Sequence, residues 1–251
     1  PDIINNQSVS FSPAKHGLYD GVAGVAYFLA ILDRKSSEDK YKRAAESLIK
    51  SLIRDRKGLK KLDNSGFTGK ASIVYVLDKL IKIWGGEKEI SEVISMLVTQ
   101  IRVEIEGEDN LDVLSGVAGI ALALLPYVIS SGNKDGVEIL KISMRKICSA
   151  HKLLITSDEP FTGLSYLRGF SHGLSGIALA LYRLSKYFND TSVFIQSKEL
   201  ITREIELVGT SQWTDSHQYK AEPLAAWCHG APGIVLALTN MPKLLEEPVI
   251  E

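Results

Sequence analysis

Apolar residues along this chain fall into two alternating patterns. Runs such as "VAYFLAIL" (25–32) and "IALALLPYVIS" (120–130) are apolar almost all round. A helix with that pattern is buried on every side. Between these runs lie stretches with a single apolar stripe. Tyr41, Ala44, Ala45, Leu48, Ile49, Leu52 and Ile53 recur at helical spacing, and so do Ile90, Val93, Ile94, Leu97, Val98 and Ile101. The stretches near 137–151 and 193–208 repeat the pattern less regularly. Lys, Arg and Glu fill the remaining faces, which marks these as outer helices with a wet side. No period-2 strand pattern competes.

Each apolar run follows a short glycine motif. "DGVAGVAY" begins at Asp20, "TGKASIVY" at Thr68, "SGVAGIAL" at Ser115, "HGLSGIAL" at His172 and "HGAPGIVL" at His229. The leading glycines Gly21, Gly69, Gly116, Gly173 and Gly230 are 48, 47, 57 and 57 residues apart. A period of that length is the signature of a repeat architecture. Each repeat is then a buried inner helix followed by an amphipathic outer one. Such pairs stack into an open solenoid or close into a ring. Inner helices that are apolar all round favour the ring, because a solenoid would leave one of their faces wet. The predicted fold is all-α, an α/α toroid of inner and outer helix pairs.

In a ring the inner helices run the same way, so their N-termini meet at one rim. Asp20, Thr68 and Ser115, directly before the glycine, read as N-cap residues for those helices. His172 and His229 hold the same position in repeats four and five, and histidine caps poorly. Two positions before the glycine, only repeat five has a thiol, Cys228. Four before it, only repeat three has a carboxylate, Asp112. A closed ring brings Asp112, His172 and Cys228 together. A metal-ligating thiol, an acid–base imidazole and an orienting carboxylate make a reactive set. Plainer readings stand beside this one. Asp112 can cap the third inner helix one turn early, and His229 can be a cap or a group behind the site. Cys148, on the stripe of "ILKISMRKICSA", reads as a core thiol. His16 and His151 read as surface or packing residues.

Composition narrows the function classes. The chain has 29 basic and 30 acidic residues for a net charge of -1, which argues against nucleic acid or an anionic membrane as partner. No apolar run reaches the length of about twenty residues that spans a bilayer, and the opening residues do not read as a signal peptide. Two cysteines some eighty positions apart make no disulfide framework, which points to a reducing, cytoplasmic setting. "GVAGVA" lacks the preceding strand and the lysine of a phosphate loop, so nucleotide binding is not expected. The chain starts at Pro1 and ends at Glu251 just after an apolar run, and both ends read as cuts in a longer polypeptide.

The motifs "LYDGVAGVAYFLA", "LDVLSGVAGIALALL", "RGFSHGLSGIALALYRL" and "AWCHGAPGIVLAL" resemble the LanC-like lanthionine cyclases. They look most like the C-terminal cyclase domain of class II, LanM-type lanthipeptide synthetases. "GFTGKASIVYVL" departs from the pattern, with Ser72 in place of the second glycine. The resemblance implies that residues 1–251 are a single α/α toroid domain with about five of the family's seven helix pairs. It also implies a zinc-assisted, Michael-type addition of precursor-peptide cysteine thiolates to dehydroalanine or dehydrobutyrine, forming thioether rings. Carried over by motif, Cys228 is a zinc ligand, His172 the general acid/base and Asp112 its partner. The family's remaining ligands come from a later Cys-His-Gly motif, expected beyond residue 251. His217 in "SQWTDSHQYK" is a substitute candidate. The implied partners are a precursor peptide and an export complex. The alternative is a toroid that binds a peptide without chemistry. A toroidal hydrolase or prenyltransferase is disfavoured, because their site residues do not form this Cys/His pattern.

Overall fold

The computed structural model of the chain describes residues 14–36, 38–86, 88–156, 169–209 and 226–242. The helices follow in order as α1 (Val22–Asp33), α2 (Lys40–Arg54), α3 (Arg56–Lys61), α4 (Lys70–Trp84), α5 (Lys88–Glu104), α6 (Val117–Ser131), α7 (Lys134–Thr156), α8 (Leu174–Phe188), α9 (Thr191–Gly209) and α10 (Ala231–Thr239). A 3-10 turn, Ile105–Gly107, follows α5. Among the described residues no β-strand forms; one isolated bridge joins Lys15 and Gly21.

The five glycine motifs open α1, α4, α6, α8 and α10, which pack side by side in that order as the inner layer. Helices α2, α5, α7 and α9 form the outer layer, each against the inner helix that precedes it, and within that layer α2 meets α5, α5 meets α7 and α7 meets α9. Every stripe position of α5 read from the sequence, Ile90 through Ile101, is buried. In the inner layer Ile73, Leu77, Leu80, Ile120 and Leu124 are fully buried. Burial of each such side chain stabilises the fold by about 1.5–3 kcal/mol relative to exposure. This double layer of helices is an α/α toroid. The inner helices at the two ends of the row depart from full burial. Val25 and Phe28 on α1 are 53% and 64% exposed, and Val235 on α10 is 55% exposed. Among the described residues, inner helix α4 covers one side of α1 and α8 one side of α10.

The helix starts correct one expectation. The N-cap is the motif glycine itself, and no N-cap side chain bonds the helix. Asp20 instead pairs with Lys15, Thr68 bonds Ser65, and Ser115 bonds Asn110 and Asp112. The preceding loop folds back over the helix end, so its carbonyls take the free amides that begin any helix. Val22 N donates to Lys15 O, Lys70 N to Asp63 O and Val117 N to Asn110 O. In the first three repeats each of these acceptors lies seven residues upstream. That wrapping explains the second glycine of the motif. A Cβ on Gly24, Gly119, Gly176 or Gly233 would lie 1.9, 1.9, 2.0 or 1.9 Å from the carbonyl oxygen of Leu18, Val113, Phe170 or Trp227. Repeat two carries Ser72 there, and its hydroxyl donates to Gly69 O and accepts from Leu18 N.

Backbone hydrogen bonds join successive loops along the rim. Leu18 N and Tyr19 N donate to Phe67 O, both at 3.0 Å. Val113 N donates to Ser171 O at 3.0 Å, and Ser171 N to Cys228 O at 3.1 Å. These bonds set repeat one against repeat two, repeat three against repeat four and repeat four against repeat five.

Candidate active site

The Val113–Ser171 bond places Asp112 of the third loop beside His172 of the fourth. Asp112 Oδ2 lies 2.6 Å from His172 Nδ1. The other carboxylate oxygen, Oδ1, accepts from Ser115 N at 2.8 Å and Gly116 N at 3.0 Å. The two readings of Asp112, helix cap and histidine partner, therefore describe the same side chain. Burial opposes ionisation of this carboxyl. The bonds from His172, Ser115 and Gly116 outweigh it and hold the group below the usual carboxylate range. An ionised carboxylate only accepts hydrogen bonds, so His172 carries its proton on Nδ1 toward Asp112. Nε2 is left to exchange a proton elsewhere. The side chains of His172 and Asp112 are 14% and 6% exposed.

His229 lies between His172 and Cys228. Its ring stacks on that of His172 with centroids 5.4 Å apart, and its Nδ1 is 2.9 Å from Cys228 Sγ. The rim thus brings Asp112, His172 and Cys228 to one place, with His229 as the contact between the second and third. Sequence reasoning left His229 as an accessory, and the signal for it was its position, which matches that of His172. Beside this group lies an aromatic cluster. Trp227 stacks on Phe67 at 5.8 Å and meets Phe170 at 6.1 Å and Tyr19 at 6.5 Å. Phe67 and Phe170 also line a cavity of about 330 Å³ shared by Leu18, Val113 and Leu179. An apolar platform thus adjoins the polar group.

The donor chemistry suits zinc in part. A thiol and an imidazole at 2.9 Å are donor types that zinc accepts. Among the described residues no group of three or more His, Cys, Asp or Glu side chains gathers to hold a metal, whereas catalytic zinc takes three protein ligands. His217 lies outside the described residues. Cys148 keeps the structural reading, since burial and the nearby Asp190 push its thiol up to about 11, far from a reactive thiolate. His16 pairs with Asp55, and His151 packs against Glu199. Among the described residues no helix is long and apolar enough to cross a membrane.

Known proteins share this architecture. A nisin cyclase superposes with a TM-score of 0.64 at 18% sequence identity, over 94% of this chain and 67% of that one, a likeness of fold. The model of the lanthionine synthetase C-like proteins matches residues 12–251. With repeat, rim and motifs all in that pattern, the chain belongs to the lanthionine synthetase C-like family.

Proposed function

We propose that this protein is a lanthionine cyclase that closes thioether rings in a dehydrated precursor peptide. The observation that carries the reading is the 2.6 Å contact between Asp112 and His172, set on the rim beside Cys228 in a member of this family. In the reaction a peptide cysteine sulfur bonds to Cβ of dehydroalanine or dehydrobutyrine. The alkene π pair moves toward the carbonyl, and the resulting enolate takes a proton at Cα. The thiol proton leaves and the Cα proton arrives, so atoms and charge balance.

His172 holds the proton chemistry. Asp112 fixes its tautomer through the contact at Nδ1, and Nε2 gives the proton to Cα or takes one from the incoming thiol. Cys228 is the residue that would hold zinc, with His229 against its sulfur and the remaining ligands outside the described residues. Zinc bound there supplies a peptide thiolate at neutral pH, because coordination lowers a thiol's pKa. The Trp227–Phe67–Phe170 platform offers an apolar surface to the substrate next to the reacting group.

The "WCHGAPG" sequence supports a class II, LanM-type enzyme; on the same family reading its ring has two further helix pairs and it acts in the cytoplasm, with an export complex as downstream partner. The test is ring formation by the full-length protein on a dehydrated precursor peptide. Cyclisation leaves the mass unchanged, so it is read as loss of alkylatable thiols by mass spectrometry. Retained thiols together with tight peptide binding would favour the non-catalytic toroid instead.

A further inference from the structure

We infer that Glu204, on outer helix α9, is the residue that positions His172; the inference rests on the cyclase reading for its catalytic consequence. The loops of repeats two and three brace themselves. Ser65 Oγ accepts from Thr68 N and Gly69 N, and Asp112 Oδ1 accepts from Ser115 N and Gly116 N. The equivalent residue of repeat four is Gly169, which has no side chain to offer.

Glycine is required there by the neighbouring repeat. Gly169 has φ +108, and a Cβ on it would lie 2.9 Å from Gly230 N, 3.0 Å from Cys228 O and 3.0 Å from the carbonyl carbon of His229. The close approach that seats the Cys228–His229 backbone against the His172 loop therefore deletes that loop's own brace.

Glu204 replaces it from outside the loop. Its side chain is 1% exposed. Oε1 accepts from Gly169 N at 2.6 Å and Oε2 from Leu174 N at 3.0 Å. In the first three repeats the corresponding first helical amide goes to a loop carbonyl of Lys15, Asp63 or Asn110. One carboxylate thus holds both ends of the loop that contains His172, and Ser175 Oγ closes the same turn on Gly169 O at 2.6 Å. Burying a carboxylate is costly unless charge-assisted bonds compensate it. The bonds from Gly169 N and Leu174 N supply part of that compensation and at the same time fix the loop. Glu104 on α5 makes a tie of another kind, pairing with Lys70 at the start of α4.

The experiment compares Glu204→Gln with Glu104→Gln in the full-length protein. It reads hydrogen exchange at Gly169 and Leu174, the downfield imidazole N–H proton of His172, and kcat and KM for ring formation. In Glu204→Gln the expected result is faster exchange at both amides and loss of the downfield proton. The kcat should fall about ten- to a hundredfold, as for a misplaced catalytic group, with KM changed by less than about twofold. Glu104→Gln should lower Tm while keeping the proton and kcat. Glu204→Asp, which keeps the charge but reaches less far, should fall between wild type and Glu204→Gln, and it carries the test if the amide variant does not fold. Retention of the downfield proton and kcat in the Glu204 variants overturns the inference, as does an equal loss of kcat in Glu104→Gln. If wild type forms no rings, the cyclase reading fails while the proton and exchange measurements still decide the positioning.

Discussion

Asp112 and His172 are joined at 2.6 Å by one carboxylate oxygen, while the other oxygen of Asp112 braces the start of α6. Two repeats are thereby tied by one side chain, and its substitutions should separate its two tasks. Asp112→Asn keeps an acceptor for the Ser115 and Gly116 amides but removes the charge facing His172. Its stability should fall by about 1 kcal/mol or less, while ring formation slows by about tenfold or more. Asp112→Ala loses both tasks and should cost about 2–3 kcal/mol. Denaturant titrations beside the ring-formation assay check both. Equal activity in Asp112→Asn and wild type would leave Asp112 a brace alone.

The same carboxylate sets a pH dependence. Its folded-state pKa lies below the ordinary value, so its contribution is complete above the unfolded value of about 3.9. That contribution is lost as pH falls through the lower, folded value. As pH falls below about 4, the stability gap between wild type and Asp112→Asn should narrow. Unfolding free energies measured for both proteins across that range test it, since other carboxylates cancel in the difference. A gap that widens in acid would contradict the assignment.

Cys228→Ala should separate metal from fold. The half-buried thiol is a small packing element, so unfolding should change by less than about 1 kcal/mol. Zinc retained after dialysis of the full-length protein should drop to background, and ring formation with it. Unchanged zinc would return Cys228 to a structural role.

The second motif glycine makes a packing prediction. In Gly176→Ala the new methyl meets the Phe170 carbonyl, 2.0 Å from where it must sit, and the loop bearing His172 has to move. Destabilisation of about 1–3 kcal/mol or more is expected, the range for overpacking. Ser72→Gly should also destabilise, because repeat two uses that hydroxyl to bond Gly69 O and Leu18 N. A stabilised Gly176→Ala in thermal denaturation would refute the close-packing account.

Much of this architecture was legible because it is periodic. The five glycines locate the inner helices, and the stripe from Ile90 to Ile101 locates α5. The shared direction of the inner helices brings Asp112, His172 and Cys228 to one rim. What periodicity could not give is through-space. The residues before the glycine look like caps, but in the first three repeats the helix ends are capped by loop carbonyls whose return path no local rule encodes. Glu204 is 31 residues past Gly173 on another helix. Its one signal is a carboxylate in register with the buried Val193, Ser197, Leu200 and Ile201. The exposed Val25 and Phe28 of α1 show the converse limit, since an all-apolar run marks a face suited to burial without naming what covers it.

On the proposed function His172 moves the proton while Cys228 serves the metal. Zinc content and ring formation measured on one sample of full-length His172→Ala test it most directly. Zinc should stay at the wild-type level, because His172 is bonded to Asp112, and the imidazole against Cys228 Sγ is that of His229. Ring formation should fall about a hundredfold or more, the scale of a general acid–base contribution. Loss of zinc together with activity would make His172 a ligand, and retention of both would make it a structural residue at the entrance of α8; either result contradicts the account.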